Sequence, residues 1–326
     1  MPALSVVVPT LNRGRFFFDT VRQVLDQRLK DIELIIVDQS DADQHGANEA
    51  FIEGLGDPRV HYIHITRKNL PNARNEALAR VSSPVVLFLD DDVILIEEDF
   101  LGAHLSAFDD PRVGGVTGRT VERSVRSNTQ SNSMRITPGG RTIINLAGTE
   151  RGPIAGLKGA NMSFRREVFD SVGGFDRNYV GSAILEDIDI SVRLAAAGWK
   201  MVFEPKAELV HLSAPSGGVR VQDALDREYW RFRLTSYFIV KNRGPVGLLP
   251  FFLTFSLIAV SRSVRWRSFA VIPRLAGAVR EGIATYRRGV DQALVPQTAP
   301  FPAGIKTDAS VVPHPDLYAK AGEQAD

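Results

Sequence analysis

The chain has no cysteine among its 326 residues. Disulfides and thiolate chemistry are therefore excluded, and a reducing compartment suits the sequence. Net charge is nearly absent too. Lys and Arg number 39 against 38 Asp and Glu, a formal +1, which leaves no overall basic field for nucleic acid. No glycine-rich phosphate loop follows the first apolar run, neither GxGxxG nor a Walker pattern. A Rossmann dehydrogenase and a nucleotidyltransferase both lose support on that ground. No apolar run reaches the roughly 20 residues of a bilayer span. The longest, residues 247–260, has 14 and contains Pro250. The opening "MPALSVVVPT" lacks a basic leader and reads as a first strand rather than a signal peptide.

What is present is a strand–helix alternation. Residues 4–8, 32–37, 60–65 and 85–89 are short apolar runs of strand type. Between them, 16–27 places Phe17, Val21, Val24 and Leu25 on one helical face. Weaker helical patterns occupy 44–55 and 72–81, the latter led by Pro71. This spacing predicts an α/β fold with a mainly parallel sheet and helices on both faces. Residues 118–158 are rich in Gly, Ser, Thr, Asn and Arg and predict a long irregular segment. A helix is expected over "LEDIDISVRLAAAGW", stopped by Gly198. The chain divides into an α/β unit 1–215 (halves 1–117 and 118–215), a helical and increasingly basic region 216–294, and a tail 295–326 expected to be poorly ordered.

Ligands of such sheets gather beyond the carboxyl ends of the strands. Polar clusters stand at those ends: "PTLNR", "DQSDAD" and "DDD". Asp90, Asp91 and Asp92 follow a buried strand, where their mutual repulsion must be offset by solvent, a basic partner or a metal ion. An oxygen-only set of this kind suits Mg²⁺ or Mn²⁺ beside a substrate phosphate. Asp38 can accept hydrogen bonds from a ribose or base edge, and Arg74 can pair with it or reach a phosphate. Glu186, Asp187 and Asp189 open a helix, where the dipole alone favours carboxylates. Asp189 has an i,i+4 partner in Arg193; Asp187 has none in sequence and is the better general base. His211 closes an apolar run, where a lone histidine is more often structural, yet it can join carboxylates on Mn²⁺.

The order "SVVVPTLNR", "VDQSDAD", "NLPNARNEAL", "FLDDDV", "GANMSFRREVFDSVGGFD", "EDIDISVRLAAAGW" and then a histidine resembles the inverting nucleotide-sugar glycosyltransferases of family two, with the GT-A fold. The resemblance covers about two thirds of the chain, 4–213. It implies that Pro9, Thr10, Asn12, Arg13, Asp38, Arg74, Asp90 and Asp91 bind the donor. It makes Asp90 and Asp92 the outer members of a DxD motif, Asp92 the direct metal ligand, and His211 a further ligand of Mn²⁺ or Mg²⁺. Asp187 matches the base, with Glu186 beside it as the next candidate, and Gly159, Asn161 and Trp199 fall on the acceptor side. Gln39 stands where the family often has a second aspartate, so a nucleoside diphosphate is implied more firmly than UDP. The implied partners are a nucleoside-diphosphate sugar and a glycan or polyprenyl-linked acceptor. A membrane surface is expected to meet 244–290, apolar and then arginine-rich, at the cytoplasmic face without a crossing. The non-enzyme alternative is an inactive membrane-surface scaffold.

Overall fold

A computed structural model describes residues 1–122, 132–219, 221–292 and 306–307. The first half follows the expected alternation: β1 (Leu4–Thr10), α1 (Arg15–Asp26), β2 (Ile32–Asp38), α2 (Ala42–Leu55), β3 (Val60–His64), α3 (Leu70–Leu78) and β4 (Val85–Leu89). The central strands are apolar on both faces because helices cover both. β1, β2 and β4 are buried throughout. α1 turns Phe17, Val21, Val24 and Leu25 inward, the face its spacing predicts. α3 starts earlier than Pro71 suggests, because the Asn69 side chain accepts the Asn72 amide at 2.8 Å and caps it.

The second half is β5 (Val93–Leu95), α4 (Phe100–Ser106), β6 (Val113–Glu122), β7 (Ser133–Ile136), β8 (Thr142–Asn145), β9 (Gly152–Pro153), β10 (Asn161–Arg165), α5 (Val168–Val172), α6 (Glu186–Ala196) and β11 (Lys200–His211). Strand order in the main sheet is β12-β3-β2-β1-β4-β10-β6-β11-β5, where β12 is Lys306–Thr307. From β3 to β4 all pairing is parallel, but β10 runs antiparallel to both β4 and β6. The sheet is therefore parallel in its first half and mixed in its second.

The irregular segment expected over 118–158 contains regular structure. β6 continues to Glu122, and β7 and β8 form an antiparallel hairpin. Four-residue strands carry too few alternations to show a period, and the turn is marked only by Gly140 at φ +80°. Residues 123–131 lie outside the described residues, as does the expected tail apart from 306–307.

Three helices follow: α7 (Ala224–Arg243), α8 (Leu248–Trp266) and α9 (Val271–Arg288). Phe232, Tyr237, Phe238, Leu275 and Val279 share one core with Ile35, Phe88 and Phe164 of the sheet. Composition changes near 215, but the packing runs on without a gap. α7 and α9 touch backbone to backbone, since a Cβ on Gly282 would lie 2.2 Å from the Arg233 carbonyl oxygen. α8 is 19 residues long, exceeding the 14-residue apolar run because the helix carries Arg262 and Arg265 onward. It buries Phe251, Phe255, Ala259 and Ser263. Leu249, Leu253, Leu257, Val260 and Val264 form an exposed apolar stripe on its other face.

One buried network joins α6 to α7. Lys241 Nζ donates to Asp176 at 2.7 Å and to Asp189 at 2.9 Å. Asp189 keeps its expected partner Arg193 at 3.0 Å and also accepts from the Tyr179 hydroxyl at 3.0 Å. Both carboxylates are essentially inaccessible. Lys241→Met leaves buried Asp176 without its cation and Asp189 with Arg193 alone, so a loss of about 3 kcal/mol is expected. Urea denaturation checks it; an unmoved midpoint would mean that the network adds nothing to stability.

Candidate active site

The aspartate triplet occupies the bend between β4 and β5, where its side chains part. Asp91 turns inward, where the Thr10 hydroxyl donates to one oxygen at 2.7 Å and Arg13 Nε to the other at 2.8 Å. Burial pushes the Asp91 carboxyl up to about 6, against the pull of Arg13. Asp92 is fully buried: its Oδ2 accepts the Ala214 amide at 2.8 Å and its Oδ1 lies 3.2 Å from His211 Nε2. Asp90 is half-buried, 3.5 Å from the same His211 nitrogen and 3.8 Å from Arg74. Three cationic side chains from three distant segments therefore surround the triplet. Arg13 also reaches the Ser216 carbonyl at 2.9 Å, tying the first loop to the chain after β11.

His211 is placed by β11, whose register sets it opposite Val93 of β5 and Glu122 of β6. Glu122 accepts from Nδ1 at 2.9 Å. Burial alone would depress the imidazole, but Asp92 and Glu122 raise it to about 10. Asp90, Asp92 and His211 offer ligand atoms within 4.8 Å of one another. Two carboxylates and one imidazole, with the other ring nitrogen held by an acid, match the donor set of Mn²⁺ or Mg²⁺. Glu122 escapes a reading of the sequence alone. It carries no motif, and only the β6–β11 register brings it to His211.

A second carboxylate centre lies beside the first. Glu186 and Asp187 begin α6 after Ala183 at φ +50° and Leu185 at φ +71°, left-handed positions for residues with a Cβ. The two acids diverge. Glu186 is buried against Arg74, which also donates to the Gly159 carbonyl at 3.0 Å. Burial pushes the Glu186 carboxyl up to about 7, against Arg74. Asp187 accepts the Gly159 amide at 3.0 Å and lines a cavity of about 410 Å³. Gly159 is needed there: a Cβ would sit 3.0 Å from Glu186 Oε1 and 3.2 Å from an Arg74 nitrogen.

Arg74, Asp90, Asp92, His211, Gly159, Glu186 and Asp187 are thus brought together, and Thr10, Arg13 and Asp91 brace them. The structure places the other candidate residues as follows. Arg74 pairs with Glu186, not with Asp38. Asp38 is wholly buried and spends its oxygens on the Ser40 amide, Asn48 and the Tyr62 hydroxyl. Pro9 is buried in β1. Asn12, at φ +51°, bridges to Asp41 and Ser40 and so joins the first two loops. Gln39 is also buried, accepting the Asn69 amide at 2.6 Å. Asn161 is inside the sheet, bonded to His104 and the Ala207 carbonyl, each within 3.0 Å. Trp199 packs on Gly114 at the start of β11, the opposite end from His211. Single-residue motif matches fix a position in the chain; the rotamer decides whether it faces a ligand.

Glu122→Gln is expected to weaken Mn²⁺ binding by about 10–100-fold, as loss of an acid behind a ligating histidine does. Paramagnetic resonance of free Mn²⁺ reads this without any turnover. Equal binding by the wild type and by Asp92→Ala would remove the site.

Comparison with known proteins bears on the family and the fold. The family model "Glycosyl transferase family 2" matches residues 5–173. The O-antigen chain rhamnosyltransferase WbaN of Salmonella anatum is 27% identical over 65% of this chain and 66% of its own length. An N-acetylglucosaminyl-diphospho-decaprenol L-rhamnosyltransferase of Mycobacterium tuberculosis is 42% identical over 20% of this chain and 21% of its own. Of an uncharacterised Sinorhizobium fredii relative, 28% identical over 67% of this chain, only 25% is spanned. Among solved structures, a Pyrobaculum calidifontis mannosyltransferase in complex with GDP-Man and Mn²⁺ has a TM-score of 0.54 at 19% identity, covering 87% of this chain and 75% of that one. S. aureus TarS has 0.56 at 15% identity, with 87% and 81% covered. These likenesses establish a shared GT-A fold. With more than half of its length matched by the family model, the chain belongs to glycosyltransferase family 2.

Proposed function

We propose that this sugar transferase works by single displacement with inversion, from a nucleoside-diphosphate sugar to a hydroxyl of a glycan or lipid-linked acceptor. The observation that carries the reading is the pair of adjoining centres. A carboxylate–imidazole triad lies beside a separate carboxylate that opens on a cavity. Asp187 takes the proton of the acceptor hydroxyl as it attacks the anomeric carbon, a contribution of roughly 10²–10⁴-fold. Glu186, neutralised by Arg74 and buried, holds the start of α6 in place instead of exchanging protons. Arg74 spans both centres, reaching Glu186 and lying 3.8 Å from Asp90. Asp90, Asp92 and His211 would hold a divalent cation, which would supply charge stabilisation for a departing diphosphate. UDP-sugars are the first donors to test, and the rhamnosyltransferase relatives extend the panel to rhamnosyl nucleotides.

Asp187→Asn should preserve nucleotide binding and fold while lowering turnover by at least about 10²-fold. Near-normal turnover would move the base elsewhere.

The same reading puts α8 against a membrane surface on the cytoplasmic side. Pro245–Trp266 is apolar enough for a span, and only 17% of its most apolar window is buried, which supports contact with lipid over a core position. Its charge is smaller than a count of arginines implies. Arg262 pairs with Glu228 at 2.8 Å and Arg274 with Asp226, which leaves Arg265, Arg267 and Arg280 exposed. Three such residues near anionic headgroups are worth about 3 kcal/mol. Flotation with anionic liposomes at low salt should carry the protein upward, and Leu253→Glu/Leu257→Glu should leave it behind. A wild type that stays in the soluble fraction removes the membrane from the proposal.

A further inference from the structure

The cavity at Asp187 has a charge that an uncharged acceptor does not need. Arg141 from the hairpin turn, Lys158 ahead of β10 and Arg231 of α7 all line it. The only acids in its lining are Asp187 and Glu186, and Glu186 is taken by Arg74. None of the three cations is closely paired. Arg231 lies 3.6 Å from Glu228, whose nearer partner is Arg262, at 3.1 and 2.8 Å through two nitrogens. Lys158 lies 3.7 Å from Glu122, which accepts from His211 at 2.9 Å and Ser213 at 3.1 Å. Arg141 has no ion pair among the described residues. Its place is nonetheless fixed. Arg243 donates to the Thr137 and Ile136 carbonyls at 2.8 and 2.9 Å, and the Gly139 turn lies against Thr254 of α8.

We propose that Arg141 and Arg231 form an anion subsite for a diphosphate carried by the acceptor, in the same cavity as Asp187. The inference rests on the glycosyl-transfer reading and narrows its acceptor to the lipid-diphosphate class. Two guanidinium forks suit a diphosphate better than any neutral glycan. Ile144, 47% exposed on the cavity rim, and the apolar stripe of α8 beyond the hairpin offer the lipid chain an apolar path. Lys158 stands between this cavity and the Asp90–Asp92–His211 group, so it is left out of the test.

The probe is geranyl diphosphate, a soluble prenyl diphosphate, titrated calorimetrically in EDTA so that no cation on the triad can hold it. Wild type should bind it, and bind inorganic pyrophosphate more weakly. Arg141→Gln/Arg231→Gln should lose at least about 10-fold in affinity, and Arg141→Lys/Arg231→Lys, which keeps the charge and loses the forks, should recover only part of it, the thermal melts of all three being alike. Unchanged affinity in the glutamine variant overturns the subsite. So does binding that appears only with Mn²⁺, which would send the diphosphate to the triad. Pyrophosphate binding as tight as geranyl diphosphate removes the lipid from the proposal. Equal competition by phosphatidylglycerol vesicles would reassign the cavity to bulk headgroups and overturn it as well. Wild-type hydrolysis of a nucleotide-sugar panel with Mn²⁺ is measured alongside. If no sugar is released, the glycosyl-transfer reading fails by itself, and the geranyl diphosphate affinities still decide the subsite.

Discussion

Three carboxylates in a row at the end of a buried strand cannot share one solution to their repulsion. The bend between β4 and β5 sends Asp91 towards Thr10 and Arg13 and sends Asp90 and Asp92 towards His211, with Arg13 also 3.7 Å from Asp92. Arg13 meets the first, His211 the second, and Arg74 approaches Asp90. Those partners come from the loop after β1, the end of β11 and the interior of α3. The triplet is therefore satisfied only when the sheet is assembled from both halves of the chain. A buried carboxylate left alone would be driven towards its neutral form, as the upward shift of Asp91 to about 6 already indicates with Arg13 in place. Assembly of the fold and assembly of the anionic centre are one requirement.

The same logic separates the adjacent acids of α6. Two neighbouring carboxylates at a helix start could both face solvent and differ little. Here the left-handed residues Ala183 and Leu185 turn the chain so that Glu186 enters the core and Asp187 faces the cavity. Arg74, stacked over Phe88 and Phe175 at 5.8 and 5.3 Å, then meets Glu186 inside. A guanidinium held by two rings and two acceptors has little freedom to follow a ligand. Its role is to keep the spacing between the two centres, and local strain of about 1–2 kcal/mol per left-handed residue is tolerated for that.

What the sequence discloses and what it hides divide along contact distance. β1 to β4 are readable because each is a short run buried on both faces, and α1 because its apolar spacing is regular. The acidic triplet, the Glu186–Asp187 pair and His211 are readable as residue types with few bland uses. The pairings are not readable. Arg13 with Asp91, Glu122 with His211 and Lys241 with Asp189 join residues 52 or more positions apart, and nothing local encodes them. The internal partners of two candidate residues are hidden in the same way. Asp38 and Asn161 sit at strand positions where ligand contact is plausible, yet Tyr62, Asn48 and His104 claim them inside. The hairpin 133–145 was hidden by its own brevity.

The C-terminal helices bear on the active site through the hairpin rather than through the sheet. α7 contributes Arg231 and Thr235 to the cavity wall and, through Arg243, grips the carbonyls of the hairpin turn. α8 supports the same turn from below, so closely that a Cβ on Gly139 would lie 2.2 Å from the Thr254 hydroxyl oxygen. The same end of α7, two residues before Arg243, is locked to α6 by Lys241. A force applied to the exposed face of α8 therefore has two short routes to Asp187. One runs through the hairpin to the cavity wall, and the other through α7 to the helix that carries Asp187. An apolar stripe serving only as an anchor could hang from a flexible linker. Here it is built into a helix that packs on the core and touches the cavity's own wall. That arrangement favours an acceptor delivered from the surface that α8 covers over one arriving from bulk solvent.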